Sequence, residues 1–581
     1  PCFVCGPFLI VALGSTQESS ILAFELRRHL SLPLLFVLVS ACSNIGSEVP
    51  ELPVAQVPGD GSHAALVDFF SEWREFEAPE FDGQVPDYSP ASMARQAAEL
   101  PMWIARLSAF DIGQWTISEQ IDWHIMRAEM NGLSFDHAVR QPWNRDPAFY
   151  ITIYAAQSDV PAHEGSEHHG SLDLWTFERP FSDTDLTFIT DRIAAVPMLL
   201  EQARGNLAAS NARDLWMAGL RSFRGQSADL RAFADEVKGQ NGALDEVTAA
   251  AIAASDAFHD WLEAEADAKT GTSGIGKENY TWYMRNVHLV PFSWEEQVTM
   301  MRRELARAHS SLRLEEHRNR DLPELKRIQT STEFDRRMNA EVDEYLRFLE
   351  EEEIHAVFDW MDPALRAVNG QFTPAEPGEI RNFFNEVNYR DPLVMRTHMH
   401  HWIELARPPA LGVSQLRITP LLYNIWDARS EGLATGVEEM MMHAGLFDGR
   451  PRSRELVWIM LAQRAARALS GLYLHGNDFE MEEAVEYAMR WTPRGWLPDG
   501  ALVRGEQHLY LRQPGYGTSY LSGKIQIEEL LAERALQVQD EFTIGSFFDD
   551  FFESGIIPTV LVRWEMTGER DPILDGPLGY R

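Results

Sequence analysis

Three histidines and one glutamate lie close together in the chain, at His398, His400, His401 and Glu404. In a helix, residues three or four apart share a face, so His401 can approach His398 or Glu404, and His400 can approach Glu404. Imidazole nitrogens and carboxylate oxygens are common zinc ligands. Histidines of a buried core helix, bonded to Glu404 or to the backbone, are the alternative. The segment therefore predicts either a divalent metal site or a polar patch in the core.

Two further carboxylates follow, at Glu431 and Glu438. They are two helical turns apart and so lie on the same side of the next helical segment. Glu431 can complete the histidine and carboxylate set of a catalytic zinc site with one open position. Glu438 can orient a ligand from behind. The candidate metal ligands are therefore Glu431 with His398, His400 and His401, and the sequence leaves open which histidines bind.

The elements that must position these residues are helices. From residue 63 onward apolar residues recur at helical spacing, as at Leu66, Phe69, Phe70 and Trp73. Long amphipathic stretches cover residues 186–208, 228–268, 293–316 and 332–358. Alternation typical of a strand is scarce, and residues 148–154 are the best candidate for one. We predict a mostly α fold, a single large multi-helical domain over residues 63–581 with at most a small sheet.

Composition excludes several classes of function. The 581 residues include 88 acidic and 51 basic side chains, a formal net charge of −37. Nucleic-acid binding needs a basic surface, so a nucleic-acid partner is not expected. All three cysteines lie at or before Cys42. The predicted domain therefore has no disulfide, thiolate metal site or cysteine nucleophile.

The front of the chain is typical of an exported lipoprotein. Arg27-Arg28-His29 precedes an apolar run over residues 30–39, and small residues lead to Cys42. We predict a lipoprotein signal peptide at 27–41 with lipidation of Cys42; the alternative is a plain signal or a core helix. Residues 1–26 are expected to be upstream over-translation. Residues 42–62 are predicted to be a flexible tether.

This segment predicts the bacterial cell envelope as the location of the protein, with the lipid anchor as its only membrane contact. Ser43 after the cysteine resembles lipoproteins sorted to the outer membrane, with the domain facing the periplasm. A second histidine-rich stretch, 161–169, contains His163-Glu164 and a later histidine one residue too far away for a shared helical face. We interpret that stretch as a polar surface loop or the rim of a substrate site.

Several segments resemble the DUF885 family, a group of bacterial, often lipid-anchored, mostly α proteins regarded as zinc metallopeptidase-like. The matching segments are 276–283 (GKENYTWY), 431–438 (EGLATGVE), 471–484 (GLYLHGNDFEMEEA) and 514–524 (PGYGTSYLSGK). The resemblance implies a gluzincin-like metallopeptidase fold and a zinc-dependent hydrolysis of peptide or amide substrates. It also aligns His475 and Tyr520 with a family histidine and tyrosine, which can stabilise an oxyanion.

One family block is not conserved in this chain. Where the family has HExxPGH, residues 398–404 read HMHHWIE; aligned from His398, Met399 replaces the glutamate expected to act as general base. A second register places His400 and His401 on the final histidines of the family block, and it lacks that glutamate as well. A methionine cannot take a proton from water. Catalysis would therefore require Glu404 or Glu438 as the base. Substrate carboxylates could be bound by Lys524 or by Arg429, unless Arg429 pairs with a nearby acid such as Asp427.

Two functions follow from these residues. The first is a lipid-anchored, metal-dependent hydrolase that acts on peptide or amide substrates through a metal-activated water, with zinc as the expected metal. The second is a non-catalytic relative that binds peptides or small ligands at the envelope. A metal-dependent lyase or isomerase is a third possibility.

Overall fold

The computed structural model describes residues 56–157, 165–376, 378–410 and 412–580. The predicted signal peptide, Cys42 and most of the predicted tether lie outside the described residues, as do His163 and Glu164. The described part of residues 52–581 forms one compact unit.

Helices make up most of the described residues. Those of the first half are α1 (His63–Glu77), α2 (Pro90–Ser108), α3 (Ile117–Phe135), α4 (Pro142–Arg145), α5 (Asp183–Ala194), α6 (Val196–Leu207), α7 (Arg213–Val237), α8 (Gly242–Glu265) and α9 (Lys277–Asn286). The next are α10 (Trp294–Arg318), α11 (Ser331–Glu351), α12 (Met361–Ala367), α13 (Phe383–Asn388), α14 (Pro392–His398), α15 (His400–Leu405) and α16 (Gln415–Ile418). The last are α17 (Asp427–His443), α18 (Ser453–His475), α19 (Met481–Trp491), α20 (Ala501–Arg512), α21 (Tyr516–Val538), α22 (Ile544–Glu553) and α23 (Thr559–Thr567).

Strands are short in the described part of the chain. β1 (Phe81–Asp82) pairs antiparallel with β2 (Val85–Pro86), and β3 (Ile153–Tyr154) pairs parallel with β4 (Leu172–Asp173). The predicted strand at 148–154 is mostly a 3₁₀ turn, Pro147–Tyr150, followed by β3. The predicted fold class, mostly α with at most a small sheet, is confirmed.

Side-chain caps explain where several helices begin. Thr116 and Glu119 form a reciprocal capping box at the start of α3, and Ser293 and Glu296 form another at the start of α10. Each box satisfies backbone N–H groups that have no partner within the helix. These signals are local in sequence, and the long helices therefore begin at positions that the chain itself specifies.

The core is built around α18, which is buried along nearly its whole length. α10, α17 and α21 pack around it, and α14 packs on α17. A second apolar cluster lies among α5, α6, α7 and α8. The segments that carry the candidate site residues are therefore central helices. No helix among the described residues is long and apolar enough to cross a membrane.

Candidate metal centre

Three of the predicted ligands meet inside the domain. His398, His401 and Glu431 each offer one ligand atom, and these atoms all lie within 4.8 Å of one another. His398 ends α14 and His401 lies in the first turn of α15, with Met399 between the two helices. Their spacing of three residues keeps both imidazoles on one side, facing Glu431 on α17. All three side chains are buried. We call these three residues the candidate metal centre, or the metal centre for short.

His398 is held from behind by a carboxylate. Its Nδ1 lies 2.9 Å from Oε1 of Glu438, and Arg464 donates two hydrogen bonds to that carboxylate, at 2.6 and 2.9 Å. Nη2 of Arg464 also lies 3.0 Å from Nδ1 of His398, so this ring nitrogen contacts both members of the buried Glu438 and Arg464 pair. Burial and Arg464 lower the pKa of His398 well below its usual value. Burial raises the pKa of Glu438 to about 7.

Glu431 is oriented by two tyrosines. Tyr516 donates its hydroxyl to Oε1 of Glu431 at 2.8 Å, and the Tyr520 hydroxyl lies 3.3 Å from that of Tyr516. The Tyr520 ring is stacked 6.4 Å from the His398 ring. Tyr520 therefore lies beside the metal centre, where it is buried.

His400 lies outside the metal centre. Its Nδ1 is 3.1 Å from the Tyr345 hydroxyl, and its ring packs against His355 and Phe552 at 5.4 and 5.5 Å. Adjacent residues on a helix point about 100° apart, so His400 and His401 cannot serve the same site. Burial lowers the pKa of His400 well below its usual value.

Glu404 and Arg429 are paired with each other. Arg429 donates a short hydrogen bond to Glu404, and both side chains are buried. The guanidinium of Arg429 also lies 4.2 Å above the Phe551 ring. Asp427, the other candidate partner, accepts a hydrogen bond from Gln513 at 2.7 Å. Glu404 and Arg429 thus serve an internal ion pair in the core.

Lys524 and His475 also have structural partners. Lys524 is buried between Glu439, at 3.1 Å, and Glu528. His475 bonds through Nε2 to the carbonyl of Tyr510 at 2.8 Å and packs against the Tyr280 ring at 5.2 Å. That hydrogen bond places the His475 proton on Nε2. Burial lowers the pKa of His475 to about 4, so the ring is neutral near pH 7.

The structure therefore divides the predicted site residues into two groups. His398, His401, Glu431, Glu438 and Tyr520 come together. The others have the separate contacts described above: His400, Glu404, Arg429, His475 and Lys524.

Tyr516 and Arg464, which contact Glu431 and Glu438, were not among the predicted site residues. Tyr516 lies in the 514–524 segment, where its proximity to Tyr520 was the available signal. Arg464 carried no spacing signal, because it comes from a separate helix.

The donor set fits a zinc ion. Two imidazoles and one carboxylate, with a fourth position left for substrate or water, are a ligand set of catalytic zinc sites. The carboxylate behind His398 is the usual support for a metal-binding histidine. A helical domain with such a group between its central helices defines the class, an α-helical protein with a candidate metal centre.

The chain belongs to the DUF885 family, described as bacterial proteins of unknown function, whose family model matches residues 73–387 and 413–566. The family resemblance of the sequence is thereby confirmed. The unmatched interval between the two ranges, 388–412, contains the divergent HMHHWIE segment and hence two of the three residues of the metal centre. No match was found among curated proteins.

Two solved structures share this fold. A presumed lipoprotein of unknown function from Shewanella oneidensis has a TM-score of 0.64 at 15% identity, and the alignment covers 87% of this chain and 99% of the Shewanella chain. A presumed lipoprotein from Colwellia psychrerythraea has a TM-score of 0.62 at 13% identity, and the alignment covers 88% of this chain and 100% of the Colwellia chain. At these identities the likeness concerns the fold alone.

Proposed function

We propose that this protein is a metal-dependent hydrolase of the bacterial cell envelope that acts on peptide or amide bonds. The observation that carries the proposal is the convergence of His398, His401 and Glu431, with ligand atoms within 4.8 Å of one another. The lipoprotein-like segment before Cys42 supports a lipid anchor, and the two similar structures are described as presumed lipoproteins. Outer-membrane attachment with the domain in the periplasm is part of the proposal.

Zinc bound there would polarise a substrate carbonyl and acidify a water molecule. The chain itself supplies the orientation of the ligands. Glu438, fixed by Arg464, holds the His398 ring, and Tyr516 holds Glu431. The hydroxyl of Tyr520, whose ring stacks on that of His398, is a donor beside the centre for an oxyanion that develops on the substrate.

None of the predicted residues is placed to act as the general base of this reaction. Met399 replaces the expected glutamate, and Glu404 is committed to Arg429. Glu438 is bonded to Arg464 and His398, so it orients a ligand instead of facing substrate. General-base assistance typically contributes about 10²–10⁴ in rate, so we expect turnover slower than that of a peptidase with an intact HExxPGH block.

Metal content tests the proposal most directly. The wild-type protein from residue 43 onward is purified without a tag and dialysed against zinc. Mass spectrometry is expected to find about one equivalent of zinc per protein chain. His401→Ala and Glu431→Gln should lose most of it. His400→Ala is the matched control, because the neighbouring histidine contacts Tyr345 and should leave the content unchanged. A wild type with less than about a tenth of an equivalent would contradict the proposal.

A non-catalytic, ligand-binding relative is the second candidate. It is favoured by Met399 and by the arginine partners of Glu404 and Glu438, which leave no assigned base. A broad library of peptide and amide substrates separates the two. Zinc-dependent turnover that Glu431→Gln abolishes supports the hydrolase. A fully metal-loaded protein that cleaves nothing supports the ligand-binding role.

A further inference from the structure

A cavity of about 530 Å³ lies apart from the residues of the metal centre. Its walls come from α1, from the helical turns at 136–143, from residues 165–173 and from the turn at 420–424. None of His398, His401 and Glu431 lines it among the described residues. Cavities of 300–1,000 Å³ are the usual size for small-ligand sites.

One wall carries a chain of hydrogen bonds through His169. Its Nε2 lies 2.8 Å from Glu77, and its Nδ1 lies 2.8 Å from the Tyr88 hydroxyl. The Glu77 carboxylate can only accept, so Nε2 of His169 carries a proton. In the neutral ring Nδ1 then accepts from the Tyr88 hydroxyl, which itself accepts the backbone N–H of His169. The His169 side chain is 31% exposed. This wall thus presents an oriented carboxylate and imidazole.

A strained turn completes the same wall. Tyr423 and Asn424 both have left-handed backbone conformations, with φ of 59° and 53°. Consecutive non-glycine residues in this region cost free energy, and such strain is concentrated at functional sites. The turn presses the Tyr423 ring onto Gly132, where a Cβ atom would lie 2.3 Å from the ring, and its hydroxyl donates to Glu77 at 3.1 Å. The fold therefore maintains a costly geometry to hold Tyr423 against Glu77.

Carboxylates outnumber cations around the cavity. The lining acids are Glu77, Asp136, Glu167 and Asp173, and Arg74, which also lines it, is bound to a further acid, Glu129. Arg140 is the other lining arginine, so four lining carboxylates stand against two lining arginines, and Glu129 already pairs with one of these. The field inside the cavity therefore favours a positively charged ligand.

Asp136 shows the same preference in a single group. It is 6% exposed, and Oδ1 has only an ion pair with Arg140 at 3.2 Å, without hydrogen-bond geometry. Burial raises the pKa of Asp136 to about 6. A buried carboxylate with so little support gains from an additional N–H donor.

The remaining walls are aromatic. The cavity is lined by the rings of Trp143, Phe149, Trp175 and Tyr283, in addition to Tyr88 and Tyr423. Aromatic faces attract organic ammonium groups and bury apolar surface at the same time. Acidic and aromatic walls together match a ligand with an ammonium group and an apolar body.

We propose that this cavity is a binding site for a small organic ammonium ion that carries an aromatic or other apolar group. Glu77, held by His169 and Tyr423, receives the ammonium, and the aromatic walls enclose the body of the ligand. The site does not depend on the metal centre. A short peptide with a free amino terminus has this chemistry, as does an arylalkylamine.

Calorimetric titration of the protein from residue 43 onward with tyramine tests the proposal. The matched ligand is 3-(4-hydroxyphenyl)propionate, which keeps the ring and replaces the ammonium with a carboxylate. Tyramine should bind at least about ten times more tightly, a difference of about 1.4 kcal/mol. Equal affinities, or no binding of tyramine, would overturn the proposal.

Variants locate the binding. Glu77→Gln should weaken tyramine binding at least about tenfold. Glu72→Gln, on the same helix but paired with Arg106 at the surface, should leave it unchanged. If Glu77→Gln does not fold, Trp175→Ala takes its place and should also weaken tyramine binding. This 37% exposed ring can be removed with little loss of core packing. Glu431→Gln should bind tyramine like the wild type; loss of binding there would mean that the cavity depends on the metal centre.

Discussion

At the scale of single residues, buried charges are matched in pairs. Arg429 is fully buried, and the carboxylate of Glu404 is the acid it contacts in the described structure. The Glu438 and Arg464 pair is equally buried, and it adds the contact with His398. The two glutamates, similar in sequence setting, thus have different roles. Glu404 neutralises a core arginine, and Glu438 orients a candidate ligand.

Glu404→Gln should therefore be a stability variant. Removing one member of a buried ion pair leaves the other charge uncompensated, at a cost of roughly 3–5 kcal/mol. Urea denaturation should show this loss, while metal content per folded molecule stays at the wild-type level. The double variant Glu404→Leu with Arg429→Leu should recover much of the stability. A Glu404→Gln protein that is as stable as the wild type would show that Arg429 does not depend on this carboxylate.

At the scale of elements, the metal centre depends on the crossing of α17 and α21. Gly432 and Gly523 lie face to face, and a Cβ atom on Gly523 would lie 1.7 Å from the carbonyl oxygen of Ala428. The two helices can approach this closely because neither has a side chain at the crossing. That approach brings Tyr516, on α21, within hydrogen-bond distance of Glu431, on α17.

Gly523→Ala should force the two helices apart. Overpacking of this kind costs about 1–3 kcal/mol or more, and the clash here is with backbone. We expect a lower thermal midpoint together with a loss of metal, since Glu431 loses its alignment with Tyr516. Gly436→Ala on α17 is the control, because its Cβ would meet Met440 Cε at an ordinary 3.6 Å. Equal behaviour of the two variants would argue against the crossing as the positioning element.

At the scale of the whole molecule, several histidines are buried without charge. Burial lowers the pKa values of His168 and His288 to about 3 and that of His475 to about 4, against about 6.5 when unfolded. At a pH between the folded and the unfolded pKa values, the unfolded chain binds more protons than the folded chain. The contribution of these histidines to stability is therefore complete above pH 6.5 and is lost as pH falls toward 4 and 3.

The midpoint of thermal unfolding should accordingly fall between pH 7 and pH 5. His288→Gln should show a smaller fall, because it removes one buried group that must become charged on unfolding in acid. His317→Gln changes an exposed histidine on α10 and should show the wild-type fall. The comparison is made between the two pH values within each variant, so a change in absolute stability does not affect it. Parallel curves for His288→Gln and wild type would contradict this origin of acid sensitivity.

Much of the fold could be predicted from the sequence, because helical periodicity and caps are local. Leu66, Phe69, Phe70 and Trp73 are all buried on α1 as their spacing predicts. Part of the metal centre could be predicted for the same reason, since His398 and His401 are three residues apart. A short, irregular segment such as 148–154 was not, because its strand is only two residues long and depends on pairing with a distant partner.

The sequence by itself determined the helical class, the acidic charge, the family and the residue types available for metal binding. The tertiary structure alone decided which of those residues meet. Arg429 reaches Glu404 across 25 positions, Arg464 reaches Glu438 across 26, and Tyr516 reaches Glu431 across 85. Spacing within a helix specifies a face, but the partner of a buried charge is set by which helices pack together. For this reason Glu404, a candidate base in the sequence, is the partner of a core arginine in the folded protein.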